Sequence, residues 1–187
     1  RYSVYVPNNE AIDKAVNEMH LPTVQSIQAY IDAHTDENKK LDSVAKIKAQ
    51  AMVVTLVNFL KYHFADQSLF VDQCTASTEC QSACSDEETG GFIRLTAEQT
   101  PGKLNIVDVT GNTVSVSSSL NNICTREFEL NSVATSARYI TNSSYVTLHS
   151  LGDKFLLFSC KVKGDFAKAW ETVGEAKAFA KKYRIKN

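Results

Sequence analysis

The stretch that decides the fold lies at the start of the chain and reads Tyr2-Ser3-Val4-Tyr5-Val6-Pro7-Asn8-Asn9-Glu10-Ala11-Ile12. Residues 2–6 alternate with the two-residue period of a β-strand. Pro7 has no N–H group to donate to a sheet, so the strand is expected to end there. Asn8 and Asn9 are of the type preferred at helix N-termini, and apolar residues at helical spacing follow them. The stretch therefore predicts a strand that turns through a short corner into a helix.

Helices dominate the first third of the chain. Apolar residues recur at helical spacing over residues 10–19 and again over about residues 23–31. The longest helix is predicted over about residues 41–62. Residues 51–60 are apolar almost all round, so this half of the helix is expected to be deeply buried.

Extended segments dominate the rest of the chain. Strands are predicted at residues 68–71, 92–95, 103–109, 113–116, 145–148 and 154–158. Residues 73–91 are polar and contain cysteines, so they are predicted to form an exposed loop. Residues 165–183 return to a helical pattern. Helices segregated from a mostly antiparallel sheet define an α+β fold, which is the predicted class.

Composition limits the class of protein. The chain has 187 residues, 43 % of them hydrophobic, and a formal net charge of −1. This length and hydrophobic content predict a folded globular domain of ordinary size. A net charge near zero gives no electrostatic reason to expect nucleic acid as a partner, and no apolar run reaches the roughly 18 residues of a membrane span. Because the chain opens inside a strand, we expect its natural N-terminus, with any targeting signal, to lie upstream.

Three of the five cysteines, Cys74, Cys80 and Cys84, lie close together in the chain. Their polar surroundings favour an exposed loop tied by a disulfide, a bond that persists in oxidising compartments. Their spacing does not match the Cys-x2-4-Cys pairs of common zinc sites. Free thiols or a bound metal are the alternatives.

The sequence contains no motif of a familiar enzyme class. It lacks a glycine-rich nucleotide loop, a His-Glu-x-x-His pair and a Gly-x-Ser-x-Gly elbow. The four histidines lie far apart, and no two share the spacing of metal ligands. We therefore predict a protein without catalytic residues, metal or cofactor. The alternative is a cysteine enzyme that pairs Cys124 or Cys160 with a histidine brought near by the fold.

Three segments together resemble the signatures of fasciclin-like domains. Residues 2–12 are similar to the first signature, which in outline reads aromatic-Thr-Val-Phe-Ala-Pro-Thr-Asn/Asp-Glu-Ala-Phe. Residues 60–64, Leu-Lys-Tyr-His-Phe, resemble the Leu-x-Tyr-His segment where the helices of the family end and its sheet begins. Residues 143–151 resemble the second signature, in which His149 occupies the histidine position and the acidic residue is displaced to Asp153.

The resemblance implies a fasciclin-like domain over residues 1–160, with a β-sandwich core and helices packed at one edge. A C-terminal helical extension over residues 161–187 is expected to follow it. The resemblance also implies an extracytoplasmic protein that is secreted or held at the cell surface or outer membrane, as bacterial lipoproteins are. Contact with a membrane is then expected only through a lipid anchor upstream of Arg1.

The function implied by the resemblance is cell adhesion, or the binding of an unidentified protein or glycan ligand, without enzymatic activity. A surface lipoprotein that handles a solute or glycan in a pocket is the alternative. In some animal members a Tyr-His pair is implicated in integrin recognition, and Tyr62-His63 matches that pair. The physical interpretation is instead a helix-end histidine whose ring donates to a backbone carbonyl or interacts favourably with the negative end of the helix. The residues considered as structural or recognition candidates are Pro7, Asn8, Asn9, Tyr62, His63 and His149.

Overall fold

A computed structural model of the chain describes residues 2–73, 77–86, 90–118, 121–125, 146–152, 154–157 and 165–169. The description is limited to the backbone at residues 123–125, 146–148 and 168–169. The described part consists of helices and one mixed β-sheet. The α+β class predicted from the sequence is therefore confirmed.

Polar side chains cap the helices that follow the first strand. These helices are α1 (Asn9–Asn17), α2 (Val24–Ala33) and α3 (Ser43–Tyr62). The Asn8 side chain accepts a hydrogen bond from the Ala11 N–H at 2.8 Å. Thr23 and Ser26 exchange reciprocal bonds at the start of α2, and Asp42 accepts two N–H groups of the first turn of α3. Each cap satisfies N–H groups that have no partner within the helix.

Eight strands of the described residues form a single sheet. They are β1 (Tyr2–Val6), β2 (Phe64–Ala65), β3 (Thr78–Asp86), β4 (Gly91–Thr100), β5 (Lys103–Val107), β6 (Thr113–Ser115), β7 (Ile123–Thr125) and β8 (Val146–Ser150). Their order across the sheet is β6-β5-β4-β3-β2-β1-β8-β7. β1 runs parallel to β8, and the other neighbouring strands pair antiparallel. Short 3₁₀ helices cover Val71–Gln73 and Phe166–Ala169.

The sheet curls so that the end of its edge strand β6 approaches the end of β8. Val116, just beyond β6, forms a bridge with Leu151, just beyond β8. The Ser117 N–H also donates to the Ser150 carbonyl at 2.7 Å. The core fills this half-barrel, and α3 packs on β3. The large side chains that are fully buried there include Tyr5, Phe59, Tyr62, Leu95, Ile106, Leu156 and Phe166.

The second half of α3 is less buried than its composition predicted. Val53, Val57 and Leu60 recur at helical spacing on one face and are 39–53 % exposed. The opposite face, which carries Thr55 and Tyr62, is buried in the protein. By length and composition alone α3 could cross a membrane, but core helices of soluble proteins pass the same test. The expectation of burial all round this helix is wrong.

The predicted cysteine loop is in large part a strand. Cys80, Ser82 and Cys84 are buried on β3, while the residues between them are exposed. Burial thus alternates with the period of a strand, but the inward side chains are small and partly polar. The sequence of β3 lacks the alternation of apolar and polar residues that usually marks a strand, so no local pattern predicts it.

Two apolar segments predicted as strands are irregular. Residues 68–71 lead into a 3₁₀ helix, and residues 154–157, the described part of the segment 154–158, have no regular structure. Several backbone groups of these two segments form hydrogen bonds with buried side chains and not with a neighbouring strand. A buried N–H or C=O group needs a partner, but a side chain satisfies it as well as a strand does.

The last described segment, Phe166–Ala169, packs on the helical side of the core. Phe166 is fully buried, and its ring centroid lies 5.7 Å from that of Phe59 on α3. The Phe166 N–H donates to the Met19 carbonyl at 2.6 Å. Most of the helix predicted for residues 161–187 lies outside the described residues. That helix, the boundary at residue 160 and the fasciclin-like sandwich stay predictions.

Candidate functional site

His63 lies at the C-terminal end of α3 and is only 3 % exposed. Its Nδ1–H donates to the Phe59 carbonyl at 2.7 Å, and its Nε2 accepts a hydrogen bond from the Leu156 N–H at 2.9 Å. An amide N–H can only donate, so Nε2 carries no proton and the ring is neutral. The ring therefore joins the helix end to the irregular segment 154–157. This is the structural role that its helix-end position predicted.

Asp108 bonds the same segment. Its carboxylate is buried and accepts five hydrogen bonds of 2.7–3.1 Å. Four come from Thr110 and Asn112, in the turn that follows β5, and the fifth comes from the Leu157 N–H at 2.9 Å. Asp108 thus holds its own turn in shape and ties it to a segment far along the chain.

Tyr62 joins the same set of contacts from the last turn of α3. It is fully buried, and its hydroxyl accepts a hydrogen bond from the Val109 N–H at 3.0 Å. We call Tyr62, His63 and Asp108, with the backbone that they bond, the interior network. Short sequence segments point to Tyr62 and His63 but not to Asp108. The sequence signal for Asp108 is the run Asp-Val-Thr-Gly-Asn at residues 108–112, because an Asp side chain often bonds the backbone of the turn after it. In the structure Gly111 adopts a φ of +77°, which glycine tolerates.

His149 on β8 makes a second bridge of the same kind. It is fully buried, and its Nε2–H donates to the Leu69 carbonyl at 2.7 Å. Its Nδ1 accepts a hydrogen bond from the Asn122 N–H at 3.3 Å, so this ring is also neutral. The ring stacks on Tyr5 with centroids 5.9 Å apart. Because the Ser3 hydroxyl accepts the Leu69 N–H at 3.0 Å, both backbone groups of that residue are bonded by side chains.

Burial controls the titration of these groups. It lowers the pKa of His63 to about 4, although the bond to the Phe59 carbonyl and the charge of Asp108 oppose the shift. Burial also lowers the pKa of His149, and it raises the pKa of Tyr62. Both imidazoles are therefore neutral at pH 7, and backbone groups occupy both nitrogens of each ring. Proton transfer requires a ring nitrogen that can reach a substrate. In these two histidines both nitrogens are bonded to the backbone, so the rings connect parts of the fold.

The corner predicted from Pro7, Asn8 and Asn9 is confirmed. β1 ends at Val6, directly before the proline. Asn8 is the N-cap of α1, and Asn9 is the first residue of that helix. The Asn8 side chain serves the helix start, so the role of the corner in the described structure is to turn the chain from sheet to helix.

The cysteines do not form the expected loop disulfide within the described residues. Cys80 and Cys84 are buried on β3, and neither is joined in a disulfide. Burial raises the pKa of Cys80 to about 12, and nearby carboxylates add to the effect. Its thiol therefore stays protonated and poorly reactive at neutral pH. Cys74 and Cys160 lie outside the described residues, and only the backbone of Cys124 is described.

A groove of about 410 Å³ lies on the outer face of the sheet, across β1 to β4. The rings of Tyr2, Phe64 and Phe92 line it. Tyr2 and Phe64 contact each other, with ring centroids 6.3 Å apart. Phe92 stands on β4 and is 50 % exposed. We call this surface the aromatic groove. No local sequence pattern marks it, because its walls come from separate strands.

An irregularity in β3 shapes the floor of the aromatic groove. Gln81 pairs with Arg94 and Ser85 pairs with Phe92, so three residues of β3 face a single residue of β4. Extra residues of this kind form a β-bulge, which re-aims the side chains of the strand. Ala83 is the middle residue of the bulge, and it is exposed and lines the groove. Its small side chain leaves the space between the aromatic walls open.

Asp66 and Gln81 bring polar groups to the aromatic groove. The Asp66 Oδ1 accepts a hydrogen bond from the Gln81 N–H at 2.9 Å, and the Asp66 N–H donates to the Gln81 carbonyl at 2.9 Å. These two bonds hold the Asp66 carboxylate in position at the end of β2. Its second oxygen, Oδ2, accepts no hydrogen bond from the residues that the structure describes.

Two further cavities are less apolar than the aromatic groove. One of about 380 Å³ lies beside the Asp108 turn, between Lys14 and Lys154, and its polar groups include turn residues that already bond one another. The other, of about 440 Å³, is lined by the polar loop over residues 34–43. In the part of the chain with a described structure, no cluster of three or more His, Cys, Asp or Glu residues could hold a metal ion.

Comparison with known proteins found no match. No protein-family model, no curated protein and no solved structure is significantly similar to this chain. The resemblance of three short segments to fasciclin-like domains therefore stays a prediction.

Proposed function

We propose that the chain is a non-enzymatic binding domain that recognises a protein partner through the aromatic groove, and that it acts in adhesion at the cell surface. The observation that carries this proposal is the cluster of three aromatic rings around a groove on the outer face of the sheet. Surface clusters of apolar side chains often mark interaction sites, and aromatic residues are enriched at such interfaces. The resemblance to fasciclin-like domains points to the same class of function.

The interior groups support a binding role over a catalytic one. Backbone atoms occupy both ring nitrogens of His63 and of His149. Five donors occupy the carboxylate oxygens of Asp108. A general acid or base needs an atom within hydrogen-bond reach of its substrate, and these groups direct their atoms to the fold.

The shape of the aromatic groove favours a group that projects from a larger partner. Small-molecule sites usually enclose most of their ligand, whereas this groove is open and its Phe92 wall is half exposed. An apolar side chain of a partner protein would be covered by the rest of the interface. A solute- or glycan-handling lipoprotein is the second candidate, because exposed aromatic rings also stack on the faces of sugars.

The location and wider architecture belong to the same proposal. We place the protein outside the cytoplasm, either secreted or held at the cell surface or outer membrane by an anchor upstream of this chain. The fasciclin-like sandwich over residues 1–160 and the helical extension over residues 161–187 are parts of this proposal. Nucleic acid is not among the proposed partners, because the net charge is close to zero.

Filling the aromatic groove tests the proposal. The Ala83→Leu variant places a large side chain between the aromatic walls. Thr96→Leu is the matched control, because Thr96 lies on β4 and does not line the groove. Binding of each purified protein to a panel of extracellular proteins and immobilised glycans would be measured by surface plasmon resonance, after thermal unfolding has shown that the variants fold.

We expect the wild-type chain to bind at least one protein of the panel. Ala83→Leu should weaken that binding about tenfold or more, the effect of removing an interface hot spot, and Thr96→Leu should not. Equal binding by Ala83→Leu would contradict the proposal. Binding of glycans alone, lost in Ala83→Leu, would establish the second candidate instead.

A further inference from the structure

The aromatic groove contains one charge without a described counter-charge. Asp66 lines the groove, and in the described residues no lysine, arginine or histidine forms an ion pair with it. The bond from the Gln81 N–H fixes its Oδ1, which leaves Oδ2 available. The ion pair that links β3 and β4, Glu79 with Arg94 at 2.8 Å, is neutral as a unit. The groove therefore combines apolar walls with a net negative charge.

The spacing of the walls suits a cation between them. Phe64 lies on β2 and Phe92 on β4, and β3 separates these strands. Neighbouring strands are about 4.8 Å apart, so the two rings stand on strands about 10 Å apart. A cation that enters the groove between these strands can lie against an aromatic face, within the roughly 6 Å at which cation–π attraction acts. The small side chain of Ala83 leaves that position free.

We propose that the aromatic groove binds an arginine side chain of a protein partner. Its guanidinium would lie between the rings of Phe64 and Phe92 and pair with Oδ2 of Asp66. Guanidinium is planar, is more weakly hydrated than ammonium and stacks on aromatic faces, so it suits an open apolar groove better than lysine does. This inference rests on the proposed function and specifies the chemistry of the partner.

The test compares arginine with its uncharged isostere. N-acetyl-arginine methylamide and N-acetyl-citrulline methylamide would be titrated into the isotopically labelled full chain, and the backbone amide signals followed by NMR. We expect saturable shifts at residues 64–66, 81–83 and 92. The citrulline compound should bind about tenfold more weakly, as expected for losing a cation–π contact and an ion pair together.

Variants locate the charge that recognises arginine. Asp66→Asn keeps an oxygen that can accept the Gln81 N–H, and it should reduce the preference for arginine over citrulline to about twofold or less. Glu98→Gln is the control. It removes an exposed carboxylate on β4, away from the groove lining, and should leave the preference for arginine unchanged. A preference that survives in Asp66→Asn would overturn the role of Asp66. Choline that binds the groove more tightly than arginine would overturn the assignment to a protein side chain.

The outcomes separate this inference from the proposed function. Equal binding of both amides at the groove, or shifts that lie elsewhere, would overturn the arginine assignment. The proposed function would still stand if Ala83→Leu abolished binding of a protein partner. Conversely, arginine binding at the groove, with partner binding unaffected by Ala83→Leu, would support this site and overturn the proposed function.

Discussion

The interior network and the aromatic groove use polar groups in opposite ways. In the interior network, every oxygen of Asp108 and every ring nitrogen of His63 is bonded to the protein. In the groove, one oxygen of Asp66 has no described partner, and aromatic rings face the solvent. A buried polar group has to be satisfied for the fold to be stable, whereas a surface site retains unused binding capacity. The difference predicts that changes in the first region alter stability and changes in the second alter binding.

The largest effect is expected for Asp108→Ala. This change removes the acceptor of five hydrogen bonds and leaves the Leu157 N–H buried without its partner. Loss of a buried charged acceptor should reduce the free energy of unfolding by roughly 3–5 kcal/mol. Urea denaturation would measure it, with Asp66→Asn as the surface control. A loss of less than about 1 kcal/mol would show that the turn does not depend on this carboxylate.

His63→Ala should have the next largest effect. It removes the ring that links the Phe59 carbonyl to the Leu156 N–H, and it leaves a cavity in the core. The expected loss is about 2–4 kcal/mol of unfolding free energy, with no change in partner binding by the folded protein. His34→Ala, at an exposed histidine, is the control. A variant that melts like the wild type but loses a partner would refute the structural role of His63.

Stability should fall as the pH is lowered from about 6.5 towards 4. The folded pKa of His63 is about 4, below its ordinary value of 6.5, and the pKa of His149 is lowered as well. Between these values the unfolded chain binds more protons than the folded one, so acid favours unfolding. The contribution of the neutral imidazoles to the free energy of unfolding is complete above pH 6.5. The part that comes from His63 and is lost by pH 4 is about 3 kcal/mol at most.

The His63→Ala variant provides the control for this pH dependence. Urea denaturation at a series of pH values should give it a shallower decline than the wild type, because one titrating imidazole is missing. Parallel curves for the two proteins would show that His63 is not responsible.

The smallest effect on stability is expected for Phe92→Ser. The ring is 50 % exposed, so the change in unfolding free energy should stay within about 0.5–1 kcal/mol. Binding of the arginine amide should nevertheless weaken severalfold, because one aromatic wall is lost. A large loss of stability would mean that Phe92 belongs to the core, and the contrast between the two regions would then fail.

The candidate site was only partly predictable from the sequence. Tyr62, His63 and His149 were singled out from short segments, and the structural interpretation of His63 followed from its position at a helix end. Asp108 was missed because its partner Leu157 lies 49 residues away. The aromatic groove was missed because its walls and its bulged floor come from different strands.

The sequence by itself determined the local features of this protein. The corner at residues 7–9 and the positions of the three helices follow from proline, capping residues and apolar spacing, which act over a few residues. The tertiary structure decided that residues 68–71 and 154–157 do not pair as strands. Contacts such as that between His63 and Leu156, 93 residues apart, satisfy their backbone through side chains. A local pattern shows that such a segment is apolar and buried, but only the assembled fold decides what bonds its backbone.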